Sequence, residues 1–227
     1  MIFITGDTHG EIDIAKLNSK NFPQGNDLTK NDYVIILGDF GFIWKNEPDK
    51  TEKYWMNWFK NKPWTTLFID GNHDNFTRLN NHTVSEWHGG KVHKINDSVI
   101  HLMRGQIFNI DNKSIFAFGG AESYDKECRV DGISWWKEEI PNHAEIEEAL
   151  TNLNNVNNKV DIMLTHTCPH AFSYELVHEI SKDPTETILD EFYKTVKYQS
   201  WYFGHWHVSK CFDDKHTVLY NKVIEYK

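Results

Sequence analysis

Five short apolar segments of this 227-residue chain each run directly into a small group containing Asp, Asn or His. Four of the five groups also contain glycine, which lets the backbone turn sharply. The groups are Gly6-Asp7-Thr8-His9, Gly38-Asp39, Gly71-Asn72-His73-Asp74, Thr165-His166 and Gly204-His205-Trp206-His207. Ligand sites of open α/β sheets gather at the carboxyl ends of the strands. If the five segments are strands of one sheet, these side chains therefore converge on one cleft.

Six β-rich segments predict the strands of a layered α/β domain. They are residues 1–5, 33–38, 65–70, 114–119, 160–165 and 199–204. Two capping signals, Asn142-x-x-Glu145 and Asp183-Pro184-x-Glu186, each precede apolar residues at helical spacing and predict helices. Because no repeat, low-complexity tract or linker interrupts the chain, we expect residues 1–227 to form a single domain. Only residues 120–141 resist assignment.

The donor atoms of the five groups form a mixed set of carboxylate, amide and imidazole ligands. Such a set suits borderline transition metals. It is larger than the four ligands of one tetrahedral zinc ion, and it suits two ions, which lie about 3.5–4 Å apart when they share a carboxylate. Each motif alone is common at a turn or a helix cap. Their order, each after a predicted strand, predicts a dinuclear metal site.

The charge of the chain bears on its partners. The formal net charge is −9, from 24 Lys and Arg against 33 Asp and Glu, and no block of basic residues occurs. An acidic chain binds duplex nucleic acid poorly, since the phosphates require cations, so nucleic acid is not the favoured partner. Bound metal ions would nevertheless add local positive charge that the composition does not count.

The cysteines and the hydropathy of the chain bear on its compartment. No apolar stretch approaches the roughly 18–20 residues that span a bilayer, so no membrane partner is expected. The first ten residues lack the basic region of a signal peptide. Cys128, Cys168 and Cys211 are odd in number and lack the spacing of a metal knuckle. Free thiols are typical of a reducing compartment, so the sequence predicts a cytoplasmic protein.

The five groups, taken in order, resemble the pattern of the calcineurin-like metallophosphoesterases. That pattern is Asp-x-His, Gly-Asp, Gly-Asn-His followed by Asp or Glu, a later His, and Gly-His-x-His, and it extends here from residue 6 to residue 207. The resemblance implies a four-layer α/β/β/α sandwich of two mixed β-sheets flanked by helices. Residues 118–141 are similar to those of small bacterial and phage members of the family.

The resemblance also implies a ligand set and two catalytic metal ions. One ion would be held by Asp7, His9, Asp39 and His207. The other would be held by Asp39, Asn72, His166 and His205, with Asp39 bridging the two. His73 would bind no metal and would act in the chemistry. Mn²⁺ is the expected metal, with Fe, Zn and Ni as alternatives.

The implied activity is that of a hydrolase, a phosphatase or phosphodiesterase that cleaves a phosphomonoester or a phosphodiester. A metal-bridging hydroxide would attack phosphorus, and His73 would act as the acid. We expect a small phosphorylated substrate, with a nucleotide as one candidate. Arg129 and Arg104 are candidates to bind the phosphate oxygens, and residues 120–141 are a candidate substrate-covering insertion. Trp135 and Trp136 in that segment either stack on a base or pack the insertion onto the body.

Other activities on the same fold stay open at this point. One is a nuclease or a cyclic-nucleotide phosphodiesterase, although repair nucleases with these five motifs usually carry extra domains. The other is a catalytically silent protein-interaction scaffold, as in the retromer subunit of this fold; retention of every ligand type and of His73 argues against it. The Gly-Asp-x-x-Asp-Arg-Gly continuation of the protein phosphatases is absent after Asp39, which disfavours a phosphoprotein substrate. The sequence does not constrain the oligomeric state.

Overall fold

A computed structural model describes all 227 residues, and each of the six predicted β-rich segments overlaps a strand. The strands are β1 (Ile2–Thr5), β2 (Tyr33–Ile36), β3 (Thr65–Phe68), β4 (Val84–Trp87), β5 (Gly90–Asn96), β6 (Val99–Leu102), β7 (Gln106–Ile110), β8 (Lys113–Phe118), β9 (Ile162–Thr165), β10 (Ser200–Phe203), β11 (Lys210–Cys211), β12 (His216–Val218) and β13 (Val223–Tyr226). The α-helices are α1 (Lys50–Lys60), α2 (Phe76–Asn80), α3 (His143–Asn155), α4 (His170–Val177) and α5 (Pro184–Thr195). Short 3₁₀ helices lie at Ile14–Leu17, Pro23–Asp27, Lys126–Cys128 and Lys137–Glu139.

The strands form two mixed sheets. The seven-stranded sheet has the order β13-β1-β2-β3-β6-β5-β4, and the six-stranded sheet has the order β11-β12-β10-β9-β8-β7. In the first sheet β1, β2, β3 and β6 are parallel, and in the second β12, β10, β9 and β8 are parallel. The antiparallel strands lie at the edges of these parallel centres.

Alternation along the strands divides the apolar side chains among three cores. On β1, Ile2 and Ile4 join the core between the two sheets, whereas Phe3 joins the core on the outer face, which includes Phe59 of α1. The outer face of the second sheet is covered in the same way by α3, α4 and α5, which contribute Leu153 among others. The predicted four-layer α/β/β/α sandwich is confirmed.

The capping signals begin helices where the sequence predicts them. The Asn142 side chain accepts from the Glu145 backbone N–H, and the Glu145 carboxylate accepts in return from the Asn142 N–H. At α5, Asp183 accepts from the Thr185 N–H and Pro184 occupies the first helical position. Caps of this kind stabilise a helix by about 1 kcal/mol. None of the helices combines the length and the apolar composition that crossing a bilayer demands.

The five polar groups do not follow strands of one sheet. Three of them follow β1, β2 and β3 of the seven-stranded sheet, and two follow β9 and β10 of the six-stranded sheet. They still meet, because the two sheets stack with these strand ends side by side. The His166 ring, after β9, hydrogen-bonds to the Leu37 carbonyl, after β2. The cleft therefore lies across the top of the sandwich and draws on both sheets.

Candidate metal centre

A first cluster of donor atoms joins the loops after β1 and β10. The ligand atoms of Asp7, His9 and His207 all lie within 4.8 Å of one another. The His207 Nε2 atom is 3.5 Å from Asp7 Oδ2. The His9 Nε2 atom is 3.1 Å from Asp39 Oδ2, so a carboxylate from the loop after β2 completes this cluster. Three of its four side chains are inside the cleft, and His207 is at its mouth.

A second cluster adjoins the first and is formed around His166. The His166 Nε2 atom is 3.1 Å from Asn72 Oδ1 and 3.3 Å from Asp39 Oδ1. The His205 ring lies with its centre 5.0 Å from that of His166. Asp39 thus directs one carboxylate oxygen to each cluster, Oδ2 to His9 and Oδ1 to His166. This is the position that one shared ligand of two cations would need.

The imidazoles of His9 and His166 are each held by a hydrogen bond at Nδ1 and direct Nε2 into the cleft. His9 Nδ1 lies 2.7 Å from Asp13 Oδ2, and His166 Nδ1 lies 2.7 Å from the Leu37 carbonyl oxygen. Because a carboxylate and a carbonyl only accept, both Nδ1 atoms must donate, which fixes the tautomer of each ring. In both residues Nε2 faces oxygen acceptors. Burial would lower the pKa of both rings, but Asp39 and Asp7 raise it, to about 9 for His9, so Nε2 holds a proton when no metal is bound. A divalent cation between nitrogen and oxygen would take the place of that proton, as at metal sites whose histidines are oriented by an outer hydrogen bond.

Buried negative charge at the same place supports a cation site. Asp7 is 0% exposed and Asp39 is 1% exposed. Burial raises the pKa of Asp7. Burial would also raise the pKa of Asp39, but His166 and His9 hold it well below its usual range. The Asp7 Oδ2 atom is buried without a hydrogen-bond partner. A buried carboxylate is normally paired or bound to a metal, so the residues present fit divalent cations.

The backbone of the cleft is strained where the donors lie. The residues with positive φ include His9 at 44°, Asp39 at 48°, His205 at 66° and His207 at 49°. Such conformations cost about 1–3 kcal/mol each outside glycine and are concentrated at functional sites. Close packing adds a second constraint, since a Cβ atom on Gly71 would lie 2.2 Å from Asp39 Oδ1. The short glycine-containing motifs of the sequence are therefore required by the shape of the loops.

Asp74 has a structural role that the sequence reasoning missed. Its buried carboxylate accepts hydrogen bonds from the backbone N–H groups of Gly41 at 3.0 Å and Gly71 at 2.9 Å. It therefore ties the loop after β2 to the loop after β3. Burial raises the pKa of Asp74 to about 6. The signal was present as the last residue of Gly71-Asn72-His73-Asp74, which the pattern alone could not distinguish from a helix cap.

His73 lies at the cleft beside both clusters. Its backbone N–H donates to Asp39 Oδ1 at 2.7 Å, and its ring centre is 5.5 Å from that of His9. The guanidinium of Arg129 reaches the same ring, with Nη2 3.2 Å from His73 Nε2. Burial lowers the pKa of His73, and the positive charge of Arg129 lowers it further. Arg129, one of the two arginines predicted to bind phosphate, is thus held next to His73.

Arg104, the other arginine predicted to bind phosphate, is not in the cleft. Its side chain is 3% exposed. It donates through Nε and Nη2 to Asp70 Oδ2 at 2.8 and 2.5 Å, and through Nη1 to Glu145 Oε2 at 3.2 Å. These carboxylates balance the charge of Arg104. Its hydrogen bonds connect the segment that follows β3 to the start of α3. The structure thus gives it a structural role in place of the predicted phosphate contact.

Residues 120–141, the candidate insertion and below simply the insertion, contribute to the site through side-chain hydrogen bonds. The Asn72 Nδ2 group donates to Ser123 Oγ at 3.1 Å, and Ser123 Oγ donates to Glu139 Oε2 at 2.8 Å. Glu139 is fully buried, so this chain of bonds is shielded from water. It turns the amide nitrogen of Asn72 away from the cleft and leaves Oδ1 facing His166. Neither Ser123 nor Glu139 was among the residues predicted from the sequence.

The two tryptophans of the insertion pack rather than line the cleft. Trp136 is 2% exposed and donates to Thr77 Oγ1 at 3.0 Å. Trp135 donates to Glu139 Oε1 at 2.8 Å. Of the two alternatives for these residues, the structure favours packing of the insertion onto the body.

The fold and the cleft define a class of protein: a four-layer α/β/β/α sandwich with carboxylates and imidazoles gathered in a cleft across its strand ends. The chain belongs to the calcineurin-like phosphoesterase family, whose model matches residues 1–209. The family is one of metal-dependent hydrolases that act on phosphate esters, and it implies divalent metal ions and a small phosphorylated substrate. No curated protein sequence matches the chain significantly.

Proposed function

We propose that the chain is a dinuclear-metal phosphoesterase that hydrolyses a phosphomonoester or a phosphodiester of a small molecule. The observation that carries this proposal is the position of Asp39, which offers one oxygen to each of two donor clusters. Asp7, His9, Asp39 and His207 would hold one ion. Asp39, Asn72, His166 and His205 would hold the other. When bound, two divalent ions would polarise a phosphoryl oxygen and lower the pKa of a water molecule to near 7, from about 15.7.

The protein's own residues would position the phosphate and supply the proton. Arg129 would bind phosphate oxygens, since its guanidinium reaches the cleft and its Nε is anchored by Asp125 at 2.7 Å. Binding of phosphate would draw Arg129 Nη2 away from His73 Nε2. His73 could then hold a proton at Nε2 and donate it to the leaving oxygen, a role typically worth ~10²–10⁴-fold in rate. Trp44, whose ring stacks 6.0 Å from that of His73, would keep the imidazole in place.

The finer points of the proposal rest on the chemistry of the donors and of the chain. Mn²⁺ is proposed as the metal, with Fe, Zn or Ni as alternatives, because the donors mix oxygen and imidazole nitrogen. The cytoplasm is proposed as the compartment, because Cys128, Cys168 and Cys211 are all free thiols. We treat residues 1–227 as one catalytic domain, with residues 120–141 as part of its active site.

A direct test compares p-nitrophenyl phosphate, a monoester, with bis-p-nitrophenyl phosphate, a diester, in the presence of Mn²⁺. Release of nitrophenol that is abolished by a chelator and restored by Mn²⁺ supports a metal-dependent phosphoesterase, and the ratio of the two rates separates a monoesterase from a diesterase. A silent scaffold releases nitrophenol from neither ester. The alternative of a nuclease predicts salt-sensitive cleavage of single-stranded DNA, which the same preparation can be tested for.

A further inference from the structure

A second cavity, of about 480 Å³, opens beside the metal centre. We call it the side cavity. Tyr124 and Trp206 line it and also line the smaller cavity that contains Asp39, Asn72 and His73. The two spaces therefore share a wall, and a molecule with its phosphate at the metal centre could extend directly into the side cavity.

The shared wall is aromatic. The Tyr124 ring stacks on His205, with centres 6.2 Å apart and planes inclined by 29°. The Trp206 ring is nearly perpendicular to the His205 ring, with its centre 5.2 Å from that of His205. Flat apolar surfaces of this kind bind planar rings by stacking, with little dependence on the identity of the ring.

The other apolar residues that line the side cavity are aliphatic and exposed. Ile180 is 82% exposed and Val177 is 46% exposed, and Tyr124, which lines the same space, is 65% exposed. Single exposed apolar residues are ordinary, but several that face one concave space indicate a binding surface. All three would lose contact with water if a planar group filled the space.

The charges around the side cavity disfavour a charged occupant. Two lysines and two glutamates line it, so their formal charges cancel, and Lys126 is paired with Glu122. A second phosphate or a carboxylate would therefore find no excess of positive charge. An uncharged ring with a few hydrogen-bonding atoms fits both the apolar walls and the polar rim.

We propose that the side cavity is a subsite for a nucleobase, and that the substrate is a phosphoester that carries a nucleoside. This proposal rests on the proposed function, since the phosphate of the same molecule would occupy the metal centre. Tyr124 would stack on the base, and Ile180 would cover its opposite face.

The test uses two esters with the same leaving group, thymidine 5′-(p-nitrophenyl phosphate) and methyl p-nitrophenyl phosphate. Both release p-nitrophenol on cleavage of the same type of bond, so the ratio of their kcat/KM values reports recognition of the nucleoside. We expect the wild type to favour the thymidine ester by about tenfold, near the lower end of what one base gains on one aromatic side chain. Tyr124→Ala and Ile180→Asp should each bring the ratio close to one.

A matched control is Tyr54→Ala, since Tyr54 is equally exposed, at 62%, but lies on α1 away from the cleft. It should leave the ratio unchanged. Saturation-transfer NMR with thymidine and metal-free protein gives a second readout, with transfer expected for the wild type and lost in Tyr124→Ala.

Equal kcat/KM values for the two esters in the wild type, or a preference that survives both substitutions, would overturn the subsite alone. Release of nitrophenol from neither of these two diesters would overturn the subsite as a site for a nucleoside diester, and absence of release from p-nitrophenyl phosphate as well would overturn the proposed function. The two failures are thus distinguishable in one set of assays.

Discussion

The two sides of the cleft are built in different ways. On one side the donors follow parallel strands, and backbone atoms fix them: His166 donates to the Leu37 carbonyl, and the His205 N–H donates to Asp7. On the other side the insertion has no strand of either sheet, and side chains fix it. Ser123 and Glu139 are examples, as is Asp183, which accepts from the Glu122 N–H at 2.9 Å.

The difference has a consequence for what each side does. The hydrogen-bonded ladders of the two sheets position the strand ends. The loops that follow can therefore hold donor residues in a strained backbone conformation. The insertion is positioned by a few hydrogen bonds, each worth about 1 kcal/mol net. We therefore expect changes on the strand side to abolish metal binding and turnover, and changes in the insertion to adjust affinity, specificity and stability.

The largest effect is expected from Asp39→Ala on the strand side. Because Asp39 offers an oxygen to both donor clusters, its loss should remove both ions and lower turnover by more than the roughly 10²–10³-fold cost of one transition-state hydrogen bond. Elemental analysis and nitrophenol release measure the two outcomes. Asp27→Ala, at an exposed position, is the control. A variant that still carries two ions would contradict the bridging role of Asp39.

His73→Ala separates metal binding from chemistry on the strand side. The variant should keep its metal content and lose about 10²–10⁴-fold in kcat, the usual contribution of an acid. The loss should be smaller for a p-nitrophenyl ester than for an alkyl ester, since nitrophenolate leaves without protonation. An equal loss for the two esters would remove His73 from the role of acid.

Ser123→Ala tests whether the insertion sets the orientation of Asn72. The amide would lose the partner that turns its nitrogen away from the cleft, and the affinity for one of two Mn²⁺ ions should fall by about tenfold, as for other groups that orient metal ligands. Calorimetric titration of metal-free protein with Mn²⁺ measures this affinity. Ser123→Thr should restore the affinity. Ser134→Ala removes a hydrogen bond within the insertion, to the Val130 N–H, without touching Asn72, and should bind both ions normally.

The smallest effect concerns the helix that anchors the insertion. Burial raises the pKa of Glu186, in the first turn of α5, to about 7, above its usual 4.5. Between these values the folded state holds the proton that the unfolded state has released, so the stability of the wild type falls as pH rises, by up to about 1.4 kcal/mol per pH unit. Glu186→Gln lacks this dependence.

Thermal unfolding at pH 5 and at pH 8 checks the prediction for Glu186. The Tm of Glu186→Gln relative to the wild type should rise by about 5–10 °C between the two pH values, since the wild type loses about 2.5 kcal/mol over this range and 1 kcal/mol corresponds to roughly 2–4 °C in a chain of this size. Glu191→Gln, on the exposed face of the same helix, should follow the wild type. Parallel pH curves for all three proteins would show that Glu186 titrates normally in the folded state.

The same contrast between the strand side and the insertion explains how much of the fold and of the site could be predicted from the sequence. The donor groups follow strands that appear in the sequence as short apolar runs, because parallel strands are buried on both faces. The order of the motifs and the layer architecture were therefore readable from local patterns. The four strands from Val84 to Ile110 were not predicted. Of these, β4 alternates exposed and partly buried residues, and β5 mixes exposed with buried ones, at the edge of the sheet.

The parts that could not be predicted depend on partners distant in the chain. Arg104 looked like a phosphate ligand because its charge is visible in the sequence and its burial against Asp70 is not. Ser123 is 51 residues from Asn72, and no local pattern marks that pairing. The roles of side chains that meet only through tertiary packing need coordinates.

The left-handed backbone at the metal centre restricts which amino acids can occupy it. Among residues other than glycine, Asn, Asp and His tolerate positive φ best, and these are also residues that bind metals. A descendant of this chain that had lost its chemistry would keep such residues at positions 39 and 205 merely to preserve the loops. Decay of function would be visible first at Asn72 and His166, whose backbone is ordinary. Those two positions are the better markers for telling a working relative from a silent one.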